Sequence, residues 1–153
     1  SRRESAASAT GLTANATVDR VVDGDTVDMI IDGVEARVRL SGIDTPETVH
    51  PTEPIECYGP QATAFASRSL LGERVALEFD PSQGRLDYYD RTLAYVWTLG
   101  VSPQQFNRTA VRRGYALEYT YDDAYLWRRE FLRAQAAAVA LPVRFWPAAS
   151  PVV

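Results

Sequence analysis

Residues 17–40, TVDRVVDGDTVDMIIDGVEARVRL, decide the fold. Residues 17–22 are rich in β-branched side chains and read as a strand. Asp23-Gly24-Asp25 reads as a turn, residues 26–31 as a second strand, and Asp32-Gly33 as the tight turn of a hairpin. From residue 34 to residue 40 the alternation is clean. Val34, Ala36, Val38 and Leu40 fall on one face; Glu35, Arg37 and Arg39 fall on the other. Three strands joined by turns this short form an antiparallel meander, because parallel strands need a much longer crossover.

Downstream, residues 45–59 form a polar, proline-bearing loop. Pro60 suits the first position of a helix running to Leu71 and stopped by Gly72. Residues 73–79 and 93–99 read as two further strands, linked by the polar segment 80–92. Ser102-Pro103 reads as an N-cap and first helical position, opening a helix to about residue 113, with Gly114 closing it. A third helix is expected over about residues 124–139. Upstream, residues 1–15 carry Ser, Ala, Thr and Arg without an apolar period and are expected to form a disordered arm. The expected organisation is an arm at 1–15, one domain at 16–147 and a short tail at 148–153. The fold class is α+β and mainly β: a five-stranded Greek-key barrel of the OB type with three helices.

The bulk numbers agree with one domain. The chain has 153 residues, of which 46% are hydrophobic and 10% aromatic, enough to fill a core. No apolar run approaches the roughly 20 residues of a membrane span. The net charge of −4 and pI near 5.0 exclude a tight nucleic-acid coat, which needs a basic surface. All 16 basic residues are arginine. One cysteine, Cys57, allows no internal disulfide, and a single histidine, His50, rules out a His/Cys zinc site and two-histidine acid–base catalysis. The chain starts at Ser1, so a processed or trimmed product is expected, from which any export signal has already gone.

Asp25 and Asp44 both sit in turns at strand ends, where carboxylate and carbonyl oxygens are available to a hard cation such as calcium or magnesium. An aspartate in a turn also serves to cap its own backbone. The pair together, with Glu47 close by, favours the cation. Arg39 ends a strand and Arg91 lies in the polar segment, where each can equally make a surface ion pair. Two guanidinium groups beside a cation match the charge that develops on a phosphodiester under attack. Losing one such arginine should raise the barrier by about 3–4 kcal/mol.

Asp23-Gly24-Asp25-Thr26, Arg39-Leu40-Ser41-Gly42-Ile43-Asp44-Thr45-Pro46-Glu47, Tyr58-Gly59-Pro60 and residues 87–95 closely resemble the staphylococcal (micrococcal) nuclease family, the thermonucleases. The likeness runs from about Ala16 to Trp146. It implies that Asp25 and Asp44 are calcium ligands and that Thr45 adds a backbone oxygen. It implies that Arg39 and Arg91 bind the scissile phosphate and that Glu47 orients or deprotonates the attacking water. Tyr119 and Tyr121 would line the nucleotide pocket, and Tyr89 would contact the terminal phosphate. The implied activity is calcium-dependent hydrolysis of DNA and RNA alike, leaving 3′-phosphate ends, by an exported monomer.

The chain departs from the family in two loops. Tyr88 stands where a phosphate-contacting lysine is common, Asp90 places a carboxylate beside Arg91, and Glu53 and Glu56 replace basic residues. Asp90 is expected to compete for Arg91, and substrate binding is expected to be weak, with a modest salt dependence. The alternative reading is a non-catalytic oligonucleotide-binding OB module of the kind found in Tudor-nuclease scaffolds.

Overall fold

The computed structural model describes residues 12–45, 59–121 and 123–139. The expectations for Glu47, His50, Glu53, Glu56, Cys57 and Tyr58, for residues 1–11 of the arm and for the tail lie outside the described residues.

The meander is present as β1 (Ala16–Asp23), β2 (Thr26–Ile31) and β3 (Val34–Leu40). Gly33 has φ +80°, as the tight hairpin turn requires. Then come β4 (Ile43–Asp44), α1 (Gly59–Leu70), β5 (Arg74–Glu78), β6 (Thr92–Thr98), β7 (Gln104–Gln105), α2 (Phe106–Arg112), β8 (Leu117–Glu118) and α3 (Arg128–Val139). The main sheet runs β3-β2-β1-β5-β6-β7, and β3 also pairs with β6 in parallel, so five strands close into a barrel. Register shifts in β1, between Val18 and Arg20 and between Val21 and Asp23, bend that strand. Closure leaves the five main strands without a free edge.

Val18, Val27, Met29, Val38, Leu40, Val75 and Val96 point inward and are fully buried. Phe65, Phe106 and Phe131 bring the three helices onto this core. Burying each such aliphatic or aromatic side chain contributes about 1.5–3 kcal/mol. The alternation read for β3 holds for Val38 and Leu40; Val34, at the hairpin end, is exposed. Residues 12–15 lie against the barrel: Leu12 is buried, and the Asn15 side chain accepts a hydrogen bond from the Leu77 amide at 3.1 Å.

Two boundaries differ from the sequence reading. Ser102-Pro103 does not open the second helix. The chain first adds β7 to β6, pairing Gln105 with Trp97, and the helix starts at Phe106. Buried Asn107 then accepts the Val96 amide and donates to the Ser41 carbonyl, both at 2.9 Å. The third helix begins at Arg128 instead of Ala124, because the preceding residues are drawn into the core. Tyr125 is buried, and the Leu126 amide donates to Asp80 at 2.8 Å.

Candidate active site

Closing the barrel brings the ends of four segments to one groove. Asp25 is buried in the β1–β2 turn, where its amide donates to Asp23 Oδ1 at 3.2 Å. Its Oδ1 accepts from the Thr26 hydroxyl at 2.9 Å and its Oδ2 from the Thr45 amide at 3.0 Å. Gly24 makes this approach possible: a Cβ there would lie 2.9 Å from Thr45 Oγ1 and 3.0 Å from Ala62. Asp44 ends β4, which β8 holds through Ile43↔Glu118 and Asp44↔Leu117.

Arg39 joins these parts. Its Nη1 donates to the carbonyls of Leu40 (2.7 Å) and Ile43 (2.9 Å), which fixes the plane of the guanidinium. Its Nη2 lies 3.5 Å from Asp25 Oδ2 and 3.7 Å from Asp44 Oδ1. Two carboxylates distant in sequence therefore meet at one nitrogen. Burial pushes the Asp25 carboxyl up, but the Arg39 charge and the hydrogen bonds it makes with its neighbours outweigh this. The group is held below the usual carboxylate range and is ionised at neutral pH.

Arg91 immediately precedes β6. The parallel register pairs Arg39 with Leu93, so Arg91, two residues earlier, falls on the same face of the neighbouring strand. Both arginines line a groove of about 660 Å³ with Asp44, Tyr89, Tyr119 and Tyr121. The rings of Tyr119 and Tyr121 are 6.5 Å apart, and the Tyr119 amide is tied to the Gly42 carbonyl at 2.8 Å. The Arg91 guanidinium sits 5.3 Å from the Tyr89 ring centre, a cation–π distance.

The carboxylate that holds Arg91 is Asp87, not Asp90. Asp87 Oδ2 accepts Arg91 Nε at 2.6 Å, and Oδ1 accepts the Arg91 and Tyr89 amides, each at 2.9 Å. Asp90 is displaced from this contact by a positive φ of 62°, with its amide donating to the Asp87 carbonyl. Sequence reasoning missed Asp87. Its signal was the i, i+4 spacing to Arg91 across a turn whose amides an aspartate can cap.

The donor set suits a hard cation. Asp25 and Asp44 offer carboxylate oxygens, and the buried Thr45 Oγ1 has no hydrogen-bond partner. Two carboxylates that converge from separate strand ends supply the hard oxygen donors that such a cation takes. Among the described residues no third acidic, histidine or cysteine side chain joins them, so neutral oxygens and water would complete the shell.

Residues 37–148 match the family model described as staphylococcal nuclease homologue. The chain is 38% identical over 129 residues to the thermonuclease of Staphylococcus hyicus, covering 84% of this chain and 73% of that protein. It is 40% identical over 129 residues to the thermonuclease of Staphylococcus intermedius, with coverage of 84% and 74%. It is 33% identical over 133 residues to endonuclease YncB of Bacillus subtilis, with coverage of 86% and 61%.

Proposed function

This chain belongs to the staphylococcal nuclease family and is a nuclease, and from that premise we propose a calcium-dependent hydrolase of DNA and RNA that leaves 3′-phosphate ends. The observation that carries the reading is the convergence of Asp25 and Asp44 on one nitrogen of Arg39, in the groove that Arg91 also lines.

Asp25, Asp44 and Thr45 would hold the calcium ion, which when bound polarises a phosphoryl oxygen and offsets its charge. Arg39 and Arg91 bind the scissile phosphate from two sides. Their planar forks stabilise the equatorial oxygens as charge builds there. Both are oriented before substrate arrives, Arg39 by two carbonyls and Arg91 by Asp87, so little reorganisation is left for the reaction itself. Glu47, assigned from its place in the sequence, positions the attacking water or takes its proton. The water oxygen bonds to phosphorus, the bond from phosphorus to the 5′-oxygen breaks, and that oxygen leaves with a proton as a hydroxyl. Tyr89 contacts a terminal phosphate, and Tyr119 and Tyr121 accept a base of any type on their faces.

The site residues all come from one chain, so a monomer suffices. Among the described residues no helix is long and apolar enough to cross a membrane. A nuclease indifferent to sugar and sequence threatens its own cell's nucleic acid, which supports work outside the cytoplasm.

The test is digestion of plasmid and RNA with calcium and with excess chelator. Digestion with calcium that chelator abolishes supports the reading. Digestion indifferent to chelator contradicts the metal role, and binding without digestion leaves a non-catalytic module.

A further inference from the structure

Among the described residues, five of the large apolar side chains left exposed line this one groove: Leu86, Tyr88, Tyr89, Tyr119 and Tyr121. A concentration of exposed apolar surface in one concave place marks a binding surface. Tyr89, Tyr119 and Tyr121 already have parts in the proposed function, and Leu86 pairs with Thr92 at the base of the turn. Tyr88 has no part in that function, and at 87% exposure it is the most exposed of the group.

Tyr88 is not a loose side chain on a loose loop. The Asp87 carboxylate takes the amides of Tyr89 and Arg91, and the Leu86–Thr92 bridge closes the base of the turn. The Tyr88 ring meets Tyr89 edge-on, with centres 5.3 Å apart and planes at 87°. This geometry suits the ring quadrupoles and leaves aromatic surface facing solvent at the groove's rim. The turn that carries Tyr88 is held by hydrogen bonds before ligand arrives, so the ordering cost is confined to the ring. The acidic chain draws weakly on the phosphate backbone, so a long substrate needs another source of affinity.

We propose that Tyr88 is the stacking platform of a further subsite, which takes the unpaired base of a nucleotide beyond the two that the cleaved phosphodiester joins. The inference rests on the nuclease reading of the groove and extends it. A base paired in a duplex cannot lie on this ledge, so the subsite selects single-stranded substrate.

The experiment compares Tyr88→Ala, Tyr88→Phe and Tyr88→Lys with the unaltered chain. Substrates are a single-stranded octanucleotide, a duplex of the same sequence and a dinucleotide, all with calcium. Thermal unfolding confirms that the variants fold. For Tyr88→Ala the KM for the octanucleotide should rise roughly five- to a hundredfold. The change for the dinucleotide should be much smaller, and the preference for single strand over duplex should shrink. Tyr88→Phe keeps the ring and should keep the low KM. Tyr88→Lys should not restore it, and should steepen the salt slope by about 0.7. A second readout is quenching of 2-aminopurine placed in a phosphorothioate-linked octanucleotide, which Tyr88→Ala should reduce. Equal effects on octanucleotide and dinucleotide, an unchanged KM, or full restoration by lysine would each overturn the subsite while leaving the nuclease reading intact. Absence of hydrolysis by the unaltered chain would instead remove the nuclease reading.

Discussion

Asp87 grips Arg91 at two points, side chain to side chain at 2.6 Å and carboxylate to backbone amide at 2.9 Å. The guanidinium is thus held by its Nε, and among the described residues its two terminal nitrogens make no hydrogen bond or ion pair. That arrangement presents the fork to the groove. It is what an arginine that meets a substrate phosphate requires.

Asp87→Asn keeps the shape of the turn and removes the charge. Arg91 then swings within its loop, and misplacement by about 1 Å at a reacting phosphate costs on the order of a hundredfold. We expect kcat to fall by about tenfold to a hundredfold, with a smaller change in melting temperature. Steady-state kinetics beside thermal unfolding checks this; unaltered kcat would mean that Asp87 only shapes the loop.

Arg39→Lys should cost about a hundredfold to a thousandfold in kcat. An ammonium is a point donor, whereas Arg39 spans two carbonyls and two carboxylates at once. Turnover measured at saturating calcium decides this. Near-normal turnover removes Arg39 from the chemistry.

Gly42→Ala tests the frame behind the groove. Gly42 has φ +79°, and a Cβ there would meet Phe131 and Tyr125 at 2.7 Å. Left-handed backbone costs an L-residue about 1–2 kcal/mol, and overpacking a core adds about 1–3 kcal/mol. The Gly42 carbonyl also receives the Tyr119 amide and the Tyr125 hydroxyl, so a shift here loosens the tyrosine wall. Denaturant unfolding should show a loss of about 2–5 kcal/mol, and a loss under 1 kcal/mol would refute the packing argument.

Asp80 contributes to stability against acid, as Asp25 and Asp28 do. Burial pushes its carboxyl up, but hydrogen bonds from the Ser82 hydroxyl, the Tyr95 hydroxyl, and the Leu126 and Ser82 amides outweigh burial and hold it below the usual range. A carboxyl whose folded value is depressed stabilises the fold above its unfolded value, near pH 4, and loses that contribution as pH falls through the folded value. Asp80→Asn should therefore cost about 2–3 kcal/mol at pH 7, and the gap to the parent chain should narrow in acid. Melting curves from pH 7 down to pH 3 check the sign; a constant gap would contradict it.

The meander was legible because Asp32-Gly33 and the alternation from 34 to 40 act over a few residues. The places where the reading slipped are set by distant partners. Ser102-Pro103 has the chemistry of a helix start, but Gln105 finds Trp97 and Asn107 finds Val96 and Ser41, so the helix begins later. Ala124 has helical propensity, but the ring of Tyr125 is worth more in the core, where Glu118 and Gly42 satisfy its hydroxyl. Asp25 and Asp44 are legible as carboxylates in turns and Arg39 as a strand-end arginine; their meeting follows from barrel closure, which no local pattern encodes. Adjacency points to Asp90 as the partner of Arg91, whereas the turn geometry gives that part to Asp87.

The identity of the new chain ends tests the central claim most directly. Products of a single-stranded oligonucleotide digested with calcium are offered to a polynucleotide kinase that lacks phosphatase activity. The proposed reaction, whose leaving oxygen is taken from the family resemblance, predicts 5′-hydroxyl ends, labelled without prior dephosphorylation, and 3′ ends that carry the phosphate. Products whose 5′ ends already carry phosphate would contradict it.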